Sequence, residues 1–121
     1  TVQINASPSW VPSYWVIEAQ QQRACVGLMG MIRGASDLDA ELGILIRPAW
    51  QGRGCAVEAL AMLVQRAFSA TPLTSLRARH AGGNRAMLGV LRRLGFAPKS
   101  PDAELSLGCQ WELSREDWRL M

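Results

Sequence analysis

The sequence predicts a single mixed α/β domain, one β-sheet with two helices packed on it. Three observations predict this. Apolar residues follow two periods, β-rich in short runs and helical, at spacings of three and four, in two longer ones. These runs succeed one another as β-β-β-α-β-α-β-β, an order suited to a sheet covered by helices. The length, 121 residues, is that of one domain with one core.

Taken in order, residues 1–13 hold Pro8 and Pro12 among small polar residues and read as an irregular arm. Tyr14 to Ala19 and Ala24 to Arg33 form two β-rich runs joined by the polar QQQR, a hairpin pattern. After the GASD turn, Glu41 to Arg47 (ELGILIR) is apolar at its centre, which predicts a mid-sheet strand buried on both faces. Pro48 ends it. From Gly54 to Ser69, Val57, Leu60, Ala61, Val64 and Phe68 make one helical stripe, closed by Pro72. Leu73 to His80 reads as a strand. GGN, residues 82–84, then opens a second helix through Arg93, with Met87, Leu88, Leu91 and Leu94 as its buried face and Gly95 as a left-handed stop. Phe96 to Pro98 and Leu105 to Leu113 complete the strands. There is no internal repeat or linker, so residues 1–121 form one domain.

Composition narrows the function classes. Cys25, Cys55 and Cys109 are far apart and odd in number, and the lone His80 has no partner at ligand spacing. No metal site or disulfide framework is expected, and free thiols suit a reducing cytoplasm. No apolar run approaches the ~18 residues of a membrane span, and the sequence as it stands opens on no basic-then-apolar leader. The net charge of +3 is carried almost wholly by arginine, whose planar fork suits phosphate. Arg77, Arg79, Arg85, Arg92 and Arg93 have no interleaved aromatic residues for base stacking, so nucleic acid is not the expected partner.

The stretch RPAWQGRGCAVEAL, residues 47 to 60, places a glycine turn between a strand and a helix. A helix N-terminus has unpaired N–H groups and a partial positive charge, and bare glycines let an anion approach the backbone. A P-loop requires a lysine that is absent here, and a dinucleotide fingerprint requires a third glycine where Val57 stands. Gln51-Gly52-Arg53-Gly54-Cys55-Ala56 instead resembles Q/R-x-x-G-x-G/A, the acetyl-CoA pyrophosphate loop of the GNAT N-acetyltransferase superfamily. AELGILIRPAWQGRGCAVEAL resembles the strand, loop and helix of its branch that acetylates ribosomal-protein N termini (RimJ/RimL-like). Asn84 ahead of VLRRLGF, residues 90 to 96, and LSREDW, residues 113 to 118, resemble later segments of that branch.

The resemblance implies a mostly antiparallel GNAT-like sheet with a splayed central strand pair and two packed helices. It implies acetyl-CoA as co-substrate and an amine acceptor, a small molecule or a protein N terminus, attacking directly in a ternary complex. The amides of Arg53, Gly54, Cys55 and Ala56 would hold the pyrophosphate, with Gly52 leaving its approach open and Gln51 shaping the loop. Gly43, Ile44, Leu45 and Ile46 would pair with the pantetheine arm, and a backbone N–H near Ile44 or Leu45 would polarise the thioester carbonyl. Asn84 would contact the cofactor arm or simply cap the second helix; Glu58 is structural or functional. Glu41 is the candidate general base, since a carboxylate can take the amine's proton directly or through water.

The chain departs from the family at three places. Leu91 stands where many members place a tyrosine general acid, and Met87 where the branch carries serine. Neither donates a proton, and His80 and Cys55 are not convincing substitutes. The strand and two helices that usually precede YWVIEA have only about a dozen residues in their place. An uncovered apolar sheet face is therefore expected, and with it a homodimer. Two functions stand: an acetyl-CoA-dependent N-acetyltransferase, or a catalytically degenerate module that binds CoA or acyl-CoA.

Overall fold

The computed structural model describes residues 2–6, 13–34, 36, 38–80, 84–99 and 109–121. One seven-stranded sheet runs in the order β1-β2-β3-β4-β5-β7-β6. Its strands are β1 (Val2–Ala6), β2 (Ser13–Ala19), β3 (Ala24–Arg33), β4 (Asp39–Ile46), β5 (Ser75–His80), β6 (Ala97–Pro98) and β7 (Cys109–Ser114). The helices are α1 (Cys55–Ala70), α2 (Arg85–Arg93) and α3 (Arg115–Arg119), with a 3₁₀ turn over Pro48–Trp50. Only β4 and β5 run parallel; the other pairs are antiparallel. The hairpin over Gln20 to Arg23 closes as the sequence predicts, with the Arg23 N–H donating to the Ala19 carbonyl at 2.8 Å.

The arm expected to be irregular over residues 1–13 is corrected in part. Val2 to Ala6 pair with β2, from Val2 opposite Ala19 to Ala6 opposite Trp15. Val2 and Ile4 are β-branched and the run carries no proline, so the edge of β2 suffices to order a segment whose own signal is weak. Residues 7–12, with Pro8 and Pro12, and the expected strand residues 105–108 lie outside the described residues, as do Gly82 and Gly83.

A second correction concerns β4. It is central as expected, but it alternates: Ala40 and Leu42 are buried, whereas Leu45 is 72% exposed. A continuous apolar run does not by itself distinguish a strand covered on both faces from one covered on one. The covered face carries Trp15, Ile17, Met29, Met31, Leu42, Leu76 and Ala78 against α1, whose Leu60, Leu63, Val64, Ala67 and Phe68 are buried. Ala61 lies outside that stripe and is exposed, and Val57 is half-buried. On α2, Leu91 and the following Leu94 are buried, while Met87 and Leu88 are half-buried. Gly95, at φ +90°, ends that helix in the left-handed conformation, with the Phe96 N–H donating to the Leu91 carbonyl at 3.0 Å.

The parallel pairing of β4 with β5 runs from Asp39 opposite Ser75 to Leu42 opposite Ala78 and stops there. Beyond it β4 continues to Ile46 along β3, while β5 continues to His80 along β7. The two central strands therefore diverge from Gly43 onward, and the opening between them faces the N-termini of α1 and α2.

Candidate functional site

The sequence places a proline after Arg47, so β4 ends in a 3₁₀ turn and the chain reverses through Gln51 to Gly54 into α1. The Gln51 side chain donates from Nε2 to the Ile46 carbonyl at 3.0 Å, tying the turn to the end of β4. Gly52 and Gly54 adopt φ of +76° and +81°, and nothing lies within 4 Å of the position a Cβ would take at either. Gly54 is the N-cap of α1 and offers no side-chain acceptor. The N–H groups of Cys55, Ala56 and Val57 have no helical partner by geometry. A serine or aspartate cap would satisfy one of them; glycine leaves them for an external anion.

These groups open into a cavity of about 590 Å³. Ile44, Leu45 and Ile46 form one wall, Gln51, Gly52, Gly54, Cys55 and Ala56 the turn, and Asn84, Arg85, Met87, Gly89 and Arg93 the facing wall on α2. A smaller cavity of about 90 Å³ lies deeper, at the divergence of the strands, and Gly43 lines it. Ile44, Asn84 and Met87 line both. Of the turn and strand residues and Asn84 that the sequence singles out for a cofactor, only Arg53 lines neither; its guanidinium lies 4.9 Å from the centre of the Trp50 ring. Asn84 Oδ1 accepts from the Met87 N–H at 3.1 Å, so it caps α2 while lining the site.

Glu41 lines neither cavity. It accepts a 2.8 Å hydrogen bond from Arg79 Nε on the sheet face away from α1, one residue before the strands part. Arg77 pairs with Asp39 at 3.3 Å, and the Arg92 guanidinium lies 5.8 Å from the Trp111 ring centre. The five arginines considered for nucleic acid are thus divided among separate partners, and Arg85 and Arg93 alone of them face the larger cavity. Leu91 is fully buried and lines the small cavity with Met87. His80, 7% exposed, accepts at Nε2 from Trp111 Nε1 at 2.8 Å, the arrangement of a satisfied core histidine that also borders the small cavity. Among the described residues no group of three His, Cys, Asp or Glu side chains is placed to hold a metal ion, and no helix is long and apolar enough to cross a membrane.

Trp50 and Gly89 carry no cofactor signal in the sequence; the resemblance puts Arg77, Arg79, Arg85, Arg92 and Arg93 near the expected CoA 3′-phosphate, and of these only Arg85 and Arg93 line the larger cavity. Which face of α2 meets the cavity depends on how that helix docks, and its periodicity marks only the buried side. The arrangement as a whole can hold an elongated anion. Phosphate would lie at the α1 N-terminus between backbone amides and the α2 arginines, and an extended polar chain along the unpaired edge of β4.

A family model for the acetyltransferase (GNAT) domain matches residues 3–97. No curated protein matches the chain in sequence. Among solved structures, a variant of the spermidine/spermine N-acetyltransferase SpeG from Vibrio cholerae aligns with a TM-score of 0.78 at 19% identity, over 91% of this chain and 70% of that one. The ribosomal-protein-S5-alanine acetyltransferase from Vibrio fischeri gives 0.77 at 18%, over 89% and 64%. The Campylobacter jejuni N-acetyltransferase PseH, in complex with acetyl coenzyme A, gives 0.71 at 14%, over 88% and 70%. The chain thus spans about two thirds of the length of these proteins, and at such identities the likeness is one of fold.

Proposed function

The chain belongs to the GNAT acetyltransferase family, and from that premise we propose that it is an acetyl-CoA-dependent N-acetyltransferase acting on a primary amine. The observation that carries this reading is the turn from Gln51 to Ala56, which presents unpaired amides to a cavity bounded by the unpaired edge of β4. The fit to CoA rests on two open glycine positions in the turn and on Arg85 and Arg93 facing it.

Acetyl-CoA supplies the acyl thioester: the amine nitrogen bonds to the carbonyl carbon as the C–S bond breaks, the nitrogen loses a proton, and the sulfur leaves as thiolate. The amides of the turn and the two arginines bind the phosphates. A backbone N–H of Ile44 or Leu45, on the strand edge β5 leaves unpaired, stabilises the developing oxyanion. Glu41, oriented by Arg79 beside the point of divergence, takes the amine's proton directly or through water. The acceptor is a protein N terminus or a small polyamine-like amine, the two kinds of substrate named for the V. fischeri and V. cholerae proteins. The reaction is placed in the cytoplasm, in keeping with the free thiols of Cys25 and Cys55. A second copy of this chain is its partner.

The second reading, a CoA-binding module without turnover, draws on Leu91 and Met87, apolar where many members of the superfamily carry a tyrosine and the branch a serine. Calorimetry with acetyl-CoA and a thiol-release assay over N-terminal peptides, polyamines and aminoglycosides separate the two. Binding together with release above background hydrolysis is the expected outcome. Binding without release establishes the module, and no binding at millimolar acetyl-CoA overturns both.

A further inference from the structure

The small cavity is not needed to hold CoA itself. It lies where β4 and β5 part, at the Gly43–Ile44 end of the edge assigned to the pantetheine arm, and is bordered by residues of both α1 and α2. Its walls are chiefly apolar: Leu42 and Ile44 from β4, Ala78 from β5, Leu60 from α1, Met87 and Leu91 from α2. The polar side chains on its border are engaged. Arg79 is bound to Glu41, Asn84 caps α2, and His80 accepts from Trp111. A polar guest would find few partners there, whereas an alkyl chain would leave water for an apolar wall.

The size is also informative. A water-sized group needs only ~10–15 Å³ of such space, so about 90 Å³ exceeds what the methyl of an acetyl group fills. Leu91 and Met87 do more than remove proton donors. They complete an apolar wall at the end of the site where the acyl group must lie if the phosphates sit at the turn.

We propose that this cavity is an acyl-chain subsite and that the chain binds short acyl-CoA thioesters, of about four carbons, in preference to acetyl-CoA. The inference rests on the CoA reading above and concerns only the acyl group. The bond changes are unaltered: the amine nitrogen bonds to the carbonyl carbon and the C–S bond breaks.

Calorimetry of the full chain with CoA, acetyl-CoA and butyryl-CoA tests it. Each methylene buried is worth roughly fourfold in affinity, so butyryl-CoA, with two more, is expected to bind about fifteenfold more tightly than acetyl-CoA. Ala78→Leu fills the cavity; in that variant CoA affinity is expected to persist and the butyryl advantage to vanish. Equal or weaker binding of butyryl-CoA by the unaltered chain, with CoA bound, overturns the subsite and leaves the CoA reading standing. Failure of all three ligands to bind overturns the CoA reading and the subsite with it. The unaltered chain decides the matter even if Ala78→Leu does not fold.

Discussion

Gly89 occupies a position on α2 where an alanine would serve the helix better. Glycine inside a helix costs about 0.8–1.0 kcal/mol relative to alanine, and nothing lies within 4 Å of the Cβ it lacks. No protein neighbour excludes a side chain there, yet the position faces the larger cavity. If the cavity holds CoA, Gly89→Ala raises stability by up to ~1 kcal/mol and weakens acetyl-CoA binding severalfold. Urea unfolding and calorimetry read the two effects separately, and unchanged affinity would mean that the ligand does not approach this turn of α2. Gly54→Ala differs in sign. At φ +81° an alanine costs about 1–2 kcal/mol, and its methyl enters the space before the α1 amides, so stability and affinity both fall. At this scale the strand-to-helix glycine turn from Gln51 to Ala56 is legible in the sequence as a place an anion could approach, whereas its reading as a CoA loop comes from the resemblance of the wider segment around it. Gly89 is not, nor is the choice of Arg85 and Arg93 from among the five arginines, because nothing local says which side of α2 meets a ligand.

Among the elements, α3 shows how a short terminal segment holds a long helix. Ser114 caps it, accepting from the Asp117 N–H at 3.0 Å, and so places Arg115 beneath the C-terminus of α1. That guanidinium donates to the carbonyls of Phe68, Thr71 and Leu73 and lies 5.2 Å from the Phe68 ring centre. The C-terminal carbonyls of a helix lack internal partners and carry partial negative charge, so one cation here satisfies several orphaned groups. Arg115→Ala is expected to cost about 2 kcal/mol, read as a lower urea midpoint at unchanged slope. Lysine restores only part, since it lacks the planar fork. Acetyl-CoA affinity of the folded variant stays unchanged, because the cavity lies at the other end of α1, ~24 Å away for 16 residues. A variant that lost affinity along with stability would show the two ends of α1 to be coupled. Long, periodic elements such as α1 and β3 are legible from sequence to within a residue or two. β1 and α3 are not: five residues give too little periodicity, and each is ordered by a distant partner.

At the scale of the molecule, the sheet has one face covered by α1 and another that no helix among the described residues covers. On the uncovered face Val16 stands opposite Leu28 and Leu28 opposite Leu45, a row in register across three strands. These side chains are 39%, 43% and 72% exposed, and Tyr14 and Ile32 lie nearby at 44% and 50%. The β2–β3 hairpin in this row is readable from the sequence, whereas which apolar residues of β4 share its face is not, since a continuous apolar run hides the alternation. Contiguous apolar surface of this kind marks interfaces in general, and an apolar row in register suits a second copy meeting it across a twofold axis, where each residue meets the same patch. The chain is therefore expected to be a homodimer by light scattering at micromolar concentration. Leu28→Lys sets two like charges near that axis and should yield a monomer. Because Leu28 is nearly half exposed in the single chain, the stability of that monomer should change by no more than about 0.5 kcal/mol. A clean monomer of the unaltered chain would overturn the dimer. A Leu28→Lys variant that stays dimeric would place the interface elsewhere.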